Sequence, residues 1–336
     1  MVLISGAWLE VERELKRRTL LVSGMGVLPF LGRAQQPFAA RPVKLVVPFP
    51  AGGSPDLIAR FLADKLGTRW PAPMVVENRA GASGGLGVQQ VIQSPADGYT
   101  LLMASTGPLT VNPAVNPRVG YNPVTQLEPV MLVGKSALVL MVHPGVQATN
   151  MQELVALARR QPDQLSYASA GLGNLTHLVA EMMKLRADVK ILHIPYKGTA
   201  EVKSDLLAGR VSMSFDTIPA AMPLIRGGQV RALAVTSRER SPGAPNIPTF
   251  AESGLGADFD VSGWFAIVAP AGTPRELVER LNQDINKVLQ TPEAQERFKA
   301  WGIDIVGGPP SRLSTLMTSD LARWQEVVRA ANVKVE

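Results

Sequence analysis

The 336-residue chain contains no cysteine. That excludes disulfides, thiol nucleophiles and thiolate metal sites, and it leaves the redox compartment undecided. Histidine is nearly as scarce: His143, His177 and His193 are the only three, and their positions lack the spacing of a zinc site. No metal and no cofactor is therefore expected. Charged residues make up only 18% of the chain against 46% apolar, so a globular fold is expected and extensive disorder is not. The net charge of +6 comes from scattered basic residues, with no Lys/Arg run interleaved with aromatics. Nucleic acid is thereby set aside as a partner, while an anionic ligand suits the excess. The length suffices for two domains, each with its own core.

No apolar run is long enough for a comfortable membrane span. The nearest, Thr19 to Leu31, is short, broken, and preceded by Lys16-Arg17-Arg18. With Gly32-Arg33-Ala34 offering a cleavage point before Gln35, residues 1–34 read as a bacterial export signal, with Ala39 or Ala40 as later options. Arg17-Arg18 fits either a twin-arginine signal or an ordinary secretory one, and the general secretory form is favoured. Glu10, Glu12 and Glu14 are unusual ahead of such a signal, so the true start is expected downstream of Met1.

What the chain does have is glycine at strand ends. Val43 to Val47 reads as a buried strand that runs into Pro48-Phe49-Pro50-Ala51-Gly52-Gly53 and then a helix. Ser54 is the expected N-cap, Pro55 suits the first helical position, and Asp56 favours the positive helix end. Gly52 and Gly53 allow close backbone approach to a ligand, with the N–H groups of the helix start aimed at it. A turn of this kind is common in α/β units, where it only reverses the chain. A second such loop strengthens the functional reading: Met74 to Asn78 is the next strand, followed by Arg79-Ala80-Gly81-Ala82-Ser83-Gly84-Gly85-Leu86-Gly87 and a helix to about Ile92. Two glycine loops at the carboxyl ends of successive strands would line one crevice.

Strands and helices continue to alternate, which predicts mainly parallel sheets wrapped by helices. Leu57, Ile58, Phe61, Leu62 and Leu66 form a helical stripe ending at Gly67, and Thr100 to Ser105 is a third strand. Pro108 to Pro129, with five prolines and three asparagines, is expected to be irregular. Leu138 to Val142 reads as a strand crossing between domains. A second series then runs through helix 151–160, strand 165–169, the third glycine loop Ala170-Gly171-Leu172-Gly173-Asn174, and strand 191–194. Ser262 to Pro270 is the return strand, and two or three amphipathic helices fill Pro274 to Asn332. One series, a crossing, a second series and a crossing back predict two lobes around a cleft: residues 41–140 with 264–336, and residues 141–263. The hinge is expected near Leu138–His143 and Val261–Trp264.

Eight motifs, in order across the mature chain, carry a resemblance. They are Pro-Phe-Pro-Ala-Gly-Gly-Ser-Pro-Asp (48–56), Glu-Asn-Arg-Ala-Gly-Ala-Ser-Gly-Gly (77–85), Ala-Asp-Gly-Tyr-Thr-Leu-Leu (96–102), Tyr-Ala-Ser-Ala-Gly (167–171), His-Ile-Pro-Tyr-Lys-Gly (193–198), Phe-Asp (215–216), Arg-Ala-Leu-Ala-Val-Thr (231–236) and Ala-Pro-Ala-Gly-Thr-Pro (269–274). From about Arg41 the chain resembles the solute-binding proteins of tripartite tricarboxylate transporters, the Bug receptors. The resemblance implies an α/β, two-lobed periplasmic binding protein of the type II-like, Venus flytrap kind, without catalysis. It implies a small organic carboxylate as ligand, whether a di- or tricarboxylate, an acidic amino acid or an aromatic acid. The implied partners are tripartite membrane permease subunits or a sensor, and a monomer is expected.

Carried onto this chain, the family's binding positions fall at Phe49, Ala51, Gly52, Gly53 and Asp56 in the first loop and at Gly81, Ser83, Gly84 and Gly85 in the second. Ser105 and Thr106 follow the third strand, and the other lobe would contribute Ser169, Gly171, Asn174, His177, Tyr196, Lys197 and Asp216. Backbone N–H groups in turns can solvate a carboxylate without a costly buried cation. Pro55 departs from the small residue of many relatives and would stiffen the helix start. Asp216 could pair with a ligand ammonium or serve as a helix N-cap, and it would repel a plain dicarboxylate. His177 is the expected ligand-facing histidine, His193 a satisfied core residue, and Trp264 core or hinge packing.

The alternative is an exported α/β hydrolase with Ser83 as nucleophile, because Gly81 to Gly85 fits Gly-x-Ser-x-Gly. Against it, Asn78-Arg79-Ala80 separate strand from turn, an HGGG-type motif is missing, and no histidine lies near the C-terminus. A dinucleotide loop is excluded by the spacing of Gly81, Gly84, Gly85 and Gly87.

Overall fold

The computed structural model describes residues 39–196 and 198–334. The expected export signal and Lys197 lie outside the described residues. Three apolar segments make the first parallel sheet: β1 (Val43–Val47), β2 (Met74–Asn78) and β3 (Thr100–Ser105), with β1 central. The crossovers are α1 (Ser54–Gly67) and α2 (Gly85–Ile92). Helix α1 buries Ile58, Phe61, Leu62 and Leu66, the expected stripe, but leaves Leu57 exposed.

The segment from Pro108 is more ordered than expected. It forms a π-helical turn (Gly107–Val111), then α3 (Asn112–Val115) and α4 (Pro123–Gln126). Pro108, Pro113 and Pro123 each occupy a first helical turn, where a missing N–H costs nothing. The crossing strand is also longer. β4 runs from Leu127 to Val142, sixteen residues, of which only Leu138 to Val142 read as a strand from the sequence. Glu128, Pro129, Lys135 and Ser136 interrupt the apolar run, and two irregularities in its pairing with β9 accommodate them.

The second half repeats the first. α5 (Met151–Arg160) leads to β5 (Ser166–Ser169), α6 (Leu175–Ala187), β6 (Leu192–Pro195), α7 (Thr199–Leu207), β7 (Met213–Thr217), α8 (Ile218–Arg226) and β8 (Arg231–Val235). β5 lies between β6 and β7, all parallel. The chain returns through β9 (Ser262–Pro270) and closes with α9 (Arg275–Leu289), α10 (Pro292–Ala300), β10 (Asp304–Ile305) and α11 (Pro310–Ala330). The parallel expectation holds for the two three-stranded cores. The strands that join them, β9 and β4, are antiparallel to their neighbours, because they carry the chain between halves rather than around a crossover helix.

The register of β4 fixes how the halves meet. Ser105, at the carboxyl end of β3, pairs with Phe265, which pairs with Gly134 of β4. Thr217, at the carboxyl end of β7, pairs with Leu138 of β4 and points the opposite way. The carboxyl ends of both parallel cores therefore face each other across four residues of one strand, about 13 Å of extended chain. Thr236 locks this crossing: its hydroxyl accepts from Leu138 N (2.9 Å), and its N–H donates to Leu138 O (2.9 Å). Helix α11 ties the halves further. Leu313 and Met317 pack in one core with Val46, Leu102 and Trp264, whereas Trp324 and Val327 pack in the other with Tyr167, Phe250 and Phe259.

Candidate functional site

Every glycine loop singled out from the sequence sits at a carboxyl strand end on one of these two facing edges. In the first loop Ala51, Gly52 and Gly53 are exposed, and Gly52 adopts φ +91°, a conformation open to glycine at no steric cost. The N-cap is Gly53, not Ser54, and no side chain caps the helix there. Asp56 takes over: it turns inward, 2% exposed, and accepts from Gly52 N and Arg60 Nε at 2.9 Å and from Asn78 Nδ2 at 2.9 Å. Burial pushes the Asp56 carboxyl up, but the bonds from Arg60, Gly52 and Asn78 outweigh it and hold it below its usual range. Asp56 thus braces the loop from behind, and the Gly52 amide, expected to be free, is spent on it. Asn78 also donates to Phe49 O at 3.1 Å. The N–H group of Ala51 donates to no group among the described residues, while Gly53 closes the turn over Ala51 and Gly52.

The second loop has a run of left-handed backbone: Gly81 at +132°, Ala82 at +48°, Ser83 at +53° and Gly84 at +89°. Two consecutive side-chain-bearing residues there cost about 1–2 kcal/mol each. Such strain persists where the surroundings enforce it, typically at ligand sites. Gly84 N donates to Gly81 O (3.0 Å) and Gly85 N to Ala82 O, while the N–H groups of Gly81, Ala82 and Ser83 have no acceptor among the described residues. Gly81, Ala82 and Ser83 are exposed, and Gly84 and Gly85 are buried beneath them. Gly87 is fixed by packing: a Cβ there would lie 2.9 Å from Pro48 Cα. The Ser83 hydroxyl contacts no histidine among the described residues. His177 and His193 lie in the other half, and His143 follows β4, so no Ser–His pair forms at Ser83.

Ser105 is half-exposed at the end of β3, but Thr106 is 2% exposed and its hydroxyl accepts from Trp264 N at 2.7 Å. Thr106 therefore connects the third strand end to the return strand. Trp264 itself is buried and donates through Nε1 to Asp320 (2.6 Å), so it packs within the core at the crossing.

The facing loop, 170–174, is held by side chains. Asn174 caps α6 by accepting from His177 N (3.0 Å) and Thr176 Oγ1 (2.8 Å), and Thr176 accepts from Ala170 N (3.2 Å). Its Nδ2 donates to nothing among the described residues, nor do the N–H groups of Gly171 and Leu172. Ser169 is fully buried and donates to Gly171 O at 3.1 Å. His177, expected to face a ligand, is 4% exposed and points beneath the loop, where Nδ1 accepts from Gly173 N at 2.9 Å. Tyr196 donates its hydroxyl to Asp205 (2.6 Å) and its N–H to Ser169 O (3.0 Å); burial first, and then the Asp205 bond, raises its pKa to about 12. Asp216 is half-buried with its carboxyl pushed up by burial. It accepts from Thr217 N at 2.7 Å, and Thr217, not Asp216, occupies the N-cap position of α8, where no side chain caps the helix.

The side chains that sequence reasoning missed are the braces. Thr176 and Arg60 carry no motif of their own, Asn78 falls in the 77–85 motif without an assigned role, and only their distance to the loops reveals them. Among the described residues no cluster of acidic and histidine side chains could hold a metal, and no helix is long and apolar enough to cross a membrane.

Two α/β halves, each with a three-stranded parallel core whose carboxyl strand ends face those of the other, form the two-lobed fold of periplasmic binding proteins. Residues 58–333 match the family model described as "Tripartite tricarboxylate transporter family receptor", and the chain belongs to that family. It is 39% identical over 300 residues to protein BugT of Bordetella pertussis, covering 89% of this chain and 92% of that one. Rpa4515 of R. palustris, solved with adipate, superposes with a TM-score of 0.76 at 34% identity over 88% of this chain and 99% of its own. MatC (Rpa3494) of Rhodopseudomonas palustris, solved with bound malate, gives 0.72 at 29% identity over 87% and 100%.

Proposed function

We propose that the protein is a periplasmic receptor that captures a small organic carboxylate between residues 41–140 with 264–336 and residues 141–263, without catalysis. The observation that supports this most directly is the set of N–H groups at Ala51, Gly81, Ala82, Ser83, Gly171 and Leu172, exposed except for the half-buried Gly171, all in loops at strand ends that face one another. Amides so placed solvate a carboxylate without burying a fixed cation. The adipate and malate carried by the two structural relatives support the same ligand class. Closure around the ligand would bend the chain at Leu138–His143 and Val261–Trp264, and the closed form would be read by tripartite permease subunits or a sensor. Export of the receptor by residues 1–34 belongs to the same proposal.

A thermal-shift screen of the mature protein against adipate, malate, citrate, glutamate and benzoate tests it. Binding only to the folded state raises stability by about 2.7 kcal/mol at a concentration one hundred times Kd. At least one acid is expected to raise the Tm at millimolar concentration. A flat response to all of them would contradict the receptor reading.

A further inference from the structure

The two histidines beneath the 170–174 loop have a shared arrangement that the receptor reading does not use. Their rings stack at 4.0 Å with an interplanar angle of 11°, and Tyr167 stacks on His193 at 4.7 Å. Each ring holds one end of the loop. His177 Nδ1 accepts from Gly173 N at 2.9 Å. His193 Nε2 lies 2.7 Å from Ser169 Oγ, whose hydroxyl donates on to Gly171 O at 3.1 Å.

These bonds set the protonation states. An imidazole nitrogen that accepts an N–H carries no proton, so the His177 proton sits on Nε2. Because Ser169 donates to Gly171, His193 donates to Ser169 through Nε2–H. Charging His177 would put a second N–H opposite that of Gly173, and one loop anchor would be lost. The charged groups around the pair are Glu181 and Lys184, both on α6. Glu181 Oε1 lies 4.0 Å from His177 Nε2 and already accepts from Tyr167 on β5 and, at 2.7 Å, from Lys184.

We propose that His177 and His193 are positioning residues that hold the 170–174 loop in its ligand-receiving shape, and that the His177 anchor holds only while that ring is uncharged, so that carboxylate affinity falls in acid. The inference rests on the receptor reading. Burial first, with Lys184 adding to it, holds the His177 ring below its ordinary 6.5 despite Glu181. Burial and the neighbouring His177 push His193 down to about 3. The sign follows: a histidine whose folded pKa is lowered stabilises the folded, neutral state at neutral pH. That contribution is lost as pH falls below 6.5 and through the folded value. His177, with the smaller depression, titrates first.

The test compares adipate affinity at pH 7.5 and pH 5.0 in the wild type, in His177→Gln, which keeps an acceptor that cannot be charged, and in His177→Leu. Adipate's own protonation is common to all three and cancels between them. The weakening from pH 7.5 to 5.0 is expected to be at least threefold larger in the wild type than in His177→Gln, with His177→Leu weak at both. Equal ratios in wild type and His177→Gln would overturn the inference and leave the receptor reading standing. If adipate does not bind at pH 7.5, ring and amide nitrogen NMR of the ligand-free protein decides. The expected result is a His177 Nε2–H tautomer and a Gly173 amide that moves with its titration. A Gly173 amide that ignores the titration would overturn it.

Discussion

The loops at 81–85 and 170–174 present the same kind of donor and are built in opposite ways. In the first, three amides are exposed by backbone strain alone, with Ala82 and Ser83 forced into left-handed conformations. In the second, the positive φ values fall only on Gly171 and Gly173, and the shape is imposed from beneath by Ser169, Asn174, Thr176 and the histidine pair. The loop at 48–56 stands between them, with one left-handed glycine and one buried carboxylate as brace. The difference teaches that the 81–85 loop stores its preorganisation in the chain, where pH cannot reach it. The 170–174 loop stores it in side chains, two of them titratable.

The largest effect is expected from removing the fixed-charge brace. Asp56→Ala strips acceptors from Gly52, Arg60 and Asn78 and should cost about 2–3 kcal/mol of stability, measured by urea denaturation, together with most carboxylate affinity. Because the folded Asp56 pKa lies below its ordinary 3.8, its contribution is present above that value and lost as pH falls through the folded one. Acid should therefore loosen the 170–174 loop first, below the ordinary histidine value of 6.5, and the 48–56 loop only below the ordinary aspartate value of 3.8. Amide exchange followed at both loops checks the order, and simultaneous loosening would break the comparison.

Next comes the crossing that both halves share. Thr236→Val removes the hydroxyl bonded to Leu138 N and O in a fully buried position and should cost about 1–2 kcal/mol in the same denaturation experiment. A change of similar size at an exposed threonine would show that the crossing is nothing special.

Smaller effects separate strain from bracing. Gly52→Ala meets no atom within 4 Å, so its cost is backbone strain alone, about 1 kcal/mol. Ser83→Gly should instead stabilise by about 0.5 kcal/mol, since relief of the left-handed conformation exceeds the added unfolded-state freedom. If Ser83→Gly destabilises, the second loop is not strained in the way its dihedrals imply.

The sequence made some of this legible for reasons the coordinates explain. β3 and β9 match their expected bounds because apolar runs flanked by turn residues leave little choice of period, and β2 matches because Met74 to Val76 is followed by the glycine loop's polar approach. The loops were legible because Gly52, Gly81, Gly84, Gly171 and Gly173 occupy conformations that favour glycine. What could not be read was direction. His177 lies next to the third loop in the chain, yet the helical turn carries its ring under the loop rather than over it. Asp56 stands at a helix start that would suit a ligand-facing carboxylate, but Asn78 from a neighbouring strand draws it inward. Pairing across strands decides both, and single-sequence patterns do not carry it. The same holds for β4, where the buried Ser136 is tolerated because its hydroxyl donates to Gly302 O at 3.0 Å.

The central claim is that main-chain amides from both halves take hold of a carboxylate. Titrating nitrogen-15-labelled mature protein with the acid that most raises its Tm tests this directly, through the amide resonances of Ala51, Gly81, Ala82, Ser83, Gly171 and Leu172. The account predicts that these shift downfield together and saturate at one ligand per chain. Saturable binding that leaves them unmoved would contradict it.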